Sequence, residues 1–472
     1  MNLSTFAREM SVTQSVASPL SRRDFIAGAV TGLAGTALGN LWAEDQSFLR
    51  PSALPALPAK IRSVIYLFMC GGVSHIDTFD PKDRRWEGTF IDAIGFGDNL
   101  AAMKRPVIPC RRVFTRYGQS GTPVSDWFPH VGKMVDDIAV VRSMYCRESN
   151  HFPAVIETAT GHRGRLLENP TLGSWVNYAL GSANRNLPTF VNLGRPTSPV
   201  QLTGGYLGAQ YSATPFQSGA TPIPNLYPPN PIQRSEQSRR LDALLDLNRD
   251  FRAQYELESA IAARRHAYEL AARMQLSAPE AVDFSDEPKH VMAMYGIDQK
   301  ETDSFGRQLL LARRLAERDV RFIQVCHGGG GNGRWDSHSD MKSHAPLCRE
   351  TDLPIAGLLR DLKNRGMLDS TLVVWTSEFG RTPWSQNTTG RDHNPKGFTS
   401  WLAGGGVRGG TVYGATDDVG YEAVQQRTYI ADLQATILHQ LGLDAEKMEV
   451  EVNGRPVRLV DRFADPIYGI LS

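Results

Sequence analysis

Short apolar runs, set far apart with helical patterns between them, predict an α/β fold. A central, mostly parallel sheet flanked by helices is expected. Two observations carry this. The runs are continuous rather than alternating, as in strands buried on both faces. They are also short, rich in β-branched and aromatic residues, and closed by glycine or polar residues.

Each element follows in order. Residues 63–69 (SVIYLFM) make the first strand, which ends at Gly71-Gly72. Residues 138–144 make the second. Residues 320–326 (VRFIQVC) make the third and run into His327 and four glycines. Residues 371–376 (TLVVWT) make the fourth and end in Ser377-Glu378-Phe379-Gly380. Residues 399–403 make a fifth. Residues 188–231 are rich in Gly, Pro, Ser and Thr and read as a long loop or subdomain across the sheet's edge, which could line a cleft. Residues 235–274 read as a charged amphipathic helix within a helical insertion over 235–318. Residues 352–365 read as another helix, with Leu358, Leu359 and Leu362 on one side.

The N-terminus reads as an address. Arg22 and Arg23 precede Phe25-Ile26 and a weakly apolar, Gly- and Ala-rich run over 27–43. A basic start, a modest apolar stretch and small residues before a cut site make a secretory signal. The paired arginines specify the twin-arginine translocase as its receptor. The run is too short and glycine-rich for a stable membrane span. The expected organisation is a signal peptide over 1–43 and one domain over 44–472, placed in the periplasm or outside the cell.

Charge narrows the partners. A net charge of +1 gives no electrostatic footprint for nucleic acid or an acidic membrane surface. Five irregularly spaced cysteines, with no CxxC pair, give no disulfide framework.

The polar chemistry follows the strands. The first leads to Asp77, the second to His151, the third to Asp336 and His338, and the fourth to Glu378, Arg381, Arg391 and His393. In an open parallel sheet the carboxyl ends of the strands share one crevice, where ligands bind. Any one of these residues has a structural role open to it: Asp77 could cap a helix, and Arg381 could pair with Glu378. Four segments converging favour function. Asp77, Asp336, His338, Glu378 and His393 are the candidate metal ligands, for Zn, Mn or Ca. His151, Arg381 and Arg391 are the candidate catalytic residues.

The segment from Thr371 to Gly380 resembles the sulfatase segment ending in Ser-Asp-Asn-Gly or Ser-Asp-His-Gly. Asp432-Leu-Gln-Ala-Thr436 resembles the sulfatase Asp-x-x-Pro-Thr helix. His151-x-Pro153 with Thr160-Gly161 has the spacing of the sulfatase signature Cys-x-Pro-Ser-Arg-x4-Thr-Gly. More narrowly, Asp77-Thr-Phe-Asp80, Trp335-Asp-x-His338, Glu378-Phe-Gly-Arg-Thr-Pro383 and Gly390-Arg-Asp-His393 are similar to domain-of-unknown-function family 1501. The resemblance implies a sulfatase-like branch of the alkaline phosphatase superfamily. It also marks departures. The formylglycine cysteine falls on His151, the signature arginine on Val155, and the paired aspartates of the first strand on Cys70, Gly71 or Gly72. Formylglycine chemistry is therefore not available.

Two function classes follow. One is a metal-dependent hydrolase of phosphate or sulfate esters, with Arg381 or Arg391 on the anion and His151 as nucleophile, base or ligand. The other is a non-catalytic binding protein for anionic polysaccharide that uses the same crevice.

Overall fold

A computed structural model describes residues 57–472 apart from 95–101, 164–168, 185, most of 218–268, 272, 276, 277, 386–388, 453, 459 and 461–463. The expected signal peptide and most of the expected 235–274 helix lie outside the described residues.

Nine strands form the main sheet: β1 Ser63–Met69, β2 Ile138–Tyr145, β3 Phe190–Leu193, β4 Thr214–Phe216, β5 Phe322–His327, β6 Thr371–Thr376, β7 Phe398–Ala403, β8 Val412–Tyr413 and β9 Thr428–Tyr429. Their spatial order is β8-β2-β7-β6-β1-β5-β3-β4, with β9 also paired to β2. β1 is central, with Ile65 opposite both Val373 of β6 and Ile323 of β5, each in parallel register.

The continuous apolar run of β1 has a direct cause. Ile65, Leu67 and Met69 enter one hydrophobic cluster, while Val64, Tyr66 and Phe68 enter another across the sheet. Successive side chains point to opposite faces, so a strand covered on both sides must be apolar at every position. The first cluster is closed by α3 Asp303–Glu317 and α4 His344–Asn364. The second is closed by α1 His151–Thr160, α2 Leu172–Leu180 and α5 Ile430–Gln440. Fully burying one such Leu or Ile stabilises the fold by roughly 1.5–3 kcal/mol. Among the described residues no helix is long and apolar enough to cross a membrane.

The structure differs from the sequence expectation in three places. β7 runs antiparallel to both β6 and β2, whereas the run at 399–403 is expected to be parallel. A parallel return needs a crossover, usually a helix. The segment between β6 and β7 instead holds loops and the short strand pair Gly380–Arg381 with His393–Asn394. Residues 188–231 supply β3 and β4, so part of the expected loop is the sheet's own edge. Helix α4 begins at His344, upstream of the expected start at 352, and carries Pro354 in its interior. A proline there removes one backbone hydrogen bond and disfavours the preceding turn. Leu347 and Cys348, both buried in the core, carry the helix through. Asp352, about two turns in, accepts hydrogen bonds from the backbone N–H groups of His130 (2.9 Å) and Val131 (2.8 Å).

Candidate metal centre

The carboxyl ends of β1, β2, β5 and β6 open on one edge of the sheet, as the parallel register requires. Close backbone packing shapes that edge. Gly71 follows β1 with φ +119°, and a Cβ there would stand 2.7 Å from the backbone nitrogen of Asp336. Only glycine fits this position without strain, and the contact fixes where the 328–338 loop delivers Asp336. On the other side, a Cβ on Gly390 would stand 2.0 Å from the carbonyl oxygen of His338. That approach brings the 390–393 segment beside His338. His344 is fully buried and joins the same loops: its Nε2 accepts from the Ser74 N–H (3.2 Å), and its Nδ1 lies 2.9 Å from Ser337 Oγ.

His151 opens α1, and its Nδ1 lies 2.8 Å from Oε1 of the fully buried Glu378. Glu378 also accepts from the Gly71 N–H (2.9 Å) and from Ser377 Oγ (3.0 Å). A carboxylate accepts only, so Nδ1 carries a hydrogen, and in the neutral imidazole Nε2 carries the lone pair. That Nε2 is buried, stands 3.3 Å from Asp336 Oδ2, and has no hydrogen-bond partner.

His393 is set in the same way. Its Nδ1–H donates to the Ser149 carbonyl at 2.7 Å, leaving Nε2 as the acceptor. His393 Nε2 lies 2.9 Å from His338 Nε2 and 3.3 Å from Asp336 Oδ1. His338 Nε2 completes the triangle, 3.0 Å from Asp336 Oδ1. Two imidazole nitrogens at that separation need a proton or a cation between them.

Burial works to raise the Asp336 carboxyl's pKa, but contacts with His151, His338 and His393, together with Arg381, hold it far below the usual carboxylate range. Burial works to lower the pKa of His151, yet Asp336 and Glu378 raise it above its ordinary value. Burial, with help from Arg381, lowers that of His393 and so favours the neutral, lone-pair form. His151, Asp336 and His393 thus form one group able to hold an ion, and His338, Asp392 and His393 form a second.

Of the sequence-predicted residues, His151, Asp336, His338, His393, Glu378 and Arg381 are brought together. Arg381 is fully buried, and its guanidinium is spent. It donates to the carbonyl oxygens of Gly72 (2.8 Å), Gly71, Trp335 (3.3 Å) and Arg391 (3.2 Å), and to Asp336 Oδ1 (2.7 Å). Asp77 and Arg391 are not in the cluster's contacts. They form their own buried ion pair at 2.8 Å, with Ser74 Oγ donating to Asp77 at 2.5 Å. Burial works to raise the Asp77 pKa, but Arg391 holds it below its ordinary value.

The sequence reading passed over two residues. Asp392 Oδ1 lies 3.6 Å from His338 Nδ1. Its place between Arg391 and His393 was the available signal. Glu157 is fully buried; it accepts from the backbone N–H groups of Arg147 (3.1 Å) and Glu148 (3.0 Å) and from Tyr429 Oη (2.6 Å). It thereby holds the loop whose Ser149 carbonyl sets the His393 tautomer.

A mostly parallel sheet with a histidine–aspartate cluster at its carboxyl edge defines the class: an α/β protein with a candidate divalent-metal centre. Residues 61–471 match the family described as "Protein of unknown function (DUF1501)", and the chain belongs to that family. No curated protein matches. Among solved structures, the chain is similar to Ps i-CgsB in complex with k-i-k-neocarrahexaose, at 12% identity and TM-score 0.37, over 83% of this chain and 72% of that one. It is similar to the PsFucS1 sulfatase from Pseudoalteromonas sp., at 11% identity and TM-score 0.35, over 81% and 68%. It is also similar to the phosphonate monoester hydrolase of Agrobacterium radiobacter, at 13% identity and TM-score 0.37, over 87% and 77%.

Proposed function

We propose that this chain is an exported, metal-dependent hydrolase of phosphate or sulfate esters, with a single-ion centre held by His151, His338, His393 and Asp336. The supporting observation is the buried Nε2 of His151, which faces Asp336 without a hydrogen-bond partner while Glu378 fixes its tautomer. Among His338, His393 and Asp336 the donor separations of 2.9, 3.0 and 3.3 Å approach the edge of about 3.3 Å expected of tetrahedral Zn with bonds of about 2.0–2.1 Å, and His151 Nε2 stands 3.3 Å from the other Asp336 oxygen. Three imidazoles favour zinc or another transition metal over calcium, which prefers oxygen.

Glu378 then acts as the outer carboxylate that orients a ligating histidine and raises its basicity. A divalent ion here would supply Lewis acidity toward the ester. The chain's own residues do the rest. Asp336 holds the imidazoles together, Arg381 holds Asp336, and the N-terminus of α1 presents backbone N–H groups beside His151.

The test uses metal-loaded protein with an aryl phosphate and an aryl sulfate. Wild type should turn over at least one, and His151→Ala should lose both turnover and metal. Turnover lost with metal retained would instead make His151 the base or nucleophile. Metal-loaded wild type that turns over neither ester would contradict the hydrolase and favour the polysaccharide-binding protein.

Export through the twin-arginine route belongs to the same proposal. Changing Arg22 and Arg23 together to Lys should retain the protein in the cytoplasm, because the translocase reads the paired guanidinium groups. Normal periplasmic recovery of that variant, measured by fractionation, would contradict it.

A further inference from the structure

With Arg381 and Arg391 spent on carbonyl and carboxylate oxygens, the anionic part of the substrate still needs a cation. We propose that Arg195 holds it, binding two oxygens of a tetrahedral oxyanion, phosphate or sulfate, beside the His/Asp centre. This rests on the ester-hydrolase reading above.

Arg195 follows β3 directly, after Gly194. Because β3 pairs in parallel with β5, the two strands end on the same edge of the sheet. The glycine loop after β5 is pressed against Arg195. A Cβ on Gly329 would overlap the Arg195 carbonyl oxygen at 1.7 Å, and one on Gly330 would stand 2.9 Å from its guanidinium carbon. Two residues beyond Gly330, the Asn332 side-chain amide donates to Asp336 Oδ2 at 3.4 Å. One short loop therefore packs against the Arg195 guanidinium at Gly330 and delivers the central carboxylate of the cluster at Asp336.

Among the described residues the charge of Arg195 is also uncommitted. The residue is exposed, and among the described residues it makes no hydrogen bond or ion pair. Arg334, beside the same glycine loop, is neutralised by two 2.7 Å contacts with Glu350, and Arg163, elsewhere in the fold, lies 2.8 Å from Glu148. An unpaired arginine on a plain surface would be unremarkable. Here the guanidinium packs against Gly330 in the glycine run 328–331, and a side chain already packed has less freedom to lose on binding. Its planar fork suits two oxygens of one phosphate or sulfate group, whereas lysine offers a point charge.

The experiment is calorimetric titration of zinc-loaded protein with inorganic phosphate and, separately, inorganic sulfate, at constant ionic strength. Arg195→Ala should weaken binding of the preferred anion by roughly ten- to hundredfold, the range for a lost charge-assisted hydrogen bond. Arg195→Lys should recover only part of that loss. Arg163→Ala, with the same change in net charge, should move it less than about twofold, since exposed ion pairs contribute little. Zinc content should stay at the wild-type level in all three variants. Unchanged anion binding in Arg195→Ala, or an equal loss in Arg163→Ala, would overturn the role of Arg195 and leave the hydrolase reading standing. Zinc-loaded wild type that binds neither anion would overturn both.

Discussion

Replacing Asp336 with Asn should remove stoichiometric metal binding while leaving the fold intact. Asp336 is the shared contact of three imidazoles, at 3.3 Å from His151, 3.0 Å from His338 and 3.3 Å from His393. It is also the anion that Arg381 addresses at 2.7 Å. Asparagine keeps the shape but loses the charge, and its NH₂ end would face the N–H of Arg381 or of Asn332, each of which donates to a carboxylate oxygen of Asp336. Loss of an outer-shell partner typically costs roughly ten- to a hundredfold in metal affinity. Loss of a direct ligand should exceed that. Metal content by mass spectrometry, with circular dichroism as the check on folding, reads the result. An Asn variant that keeps the wild-type metal content would place the ion elsewhere.

Arg381→Ala should destabilise the protein by roughly 3–5 kcal/mol, the range for breaking a buried pair by removing one partner. The truncation leaves the carbonyl oxygens of Gly71, Gly72 and Trp335 without this donor and Asp336 without its cation. Arg381→Lys should not restore stability, because one ammonium cannot span sites arranged for a planar fork. Denaturant unfolding measures the loss. A change within about 0.5 kcal/mol, the usual effect of a surface substitution, would mean that Arg381 is not the strut described here.

The strands at the sheet's centre were legible because burial on both faces writes itself into every position. β1 and β6 are buried from end to end and apolar apart from Ser63, Thr371 and Thr376 at their ends, and their bounds follow the sequence runs. β3 and β4 were not legible. They are short and sit among Gly, Pro and Ser, and their pairing comes from afar: β3 joins the sheet through β5 and β4 through β3. The direction of β7 was hidden because a buried strand looks the same from sequence whichever way it runs. The separation between β6 and β7 without a helix was the clue that went unused.

The site was legible as a set of segments, less so as a set of roles. Every candidate follows a strand, so the sequence brings Asp77 as near to the crevice as Asp336. Three-dimensional packing separates them: Ser74 and Arg391 engage Asp77, while Gly71 lets the backbone of Asp336 approach. The arginines were expected to hold the substrate's anionic group, which a guanidinium can bind bidentately. Here Arg381 and Arg391 are buried with main-chain carbonyl oxygens and the carboxylates of Asp336 and Asp77 as their partners. His151 could be located but not assigned, since its role depends on Glu378, far away in sequence.

Whether four side chains hold one ion is decided most directly by anomalous scattering at the zinc edge from crystals of zinc-reconstituted protein. The expected result is a single peak within bonding distance of Nε2 of His151, His338 and His393 and of the Asp336 carboxylate. A peak at Asp77 instead, or no peak after reconstitution with zinc, would contradict the centre described here.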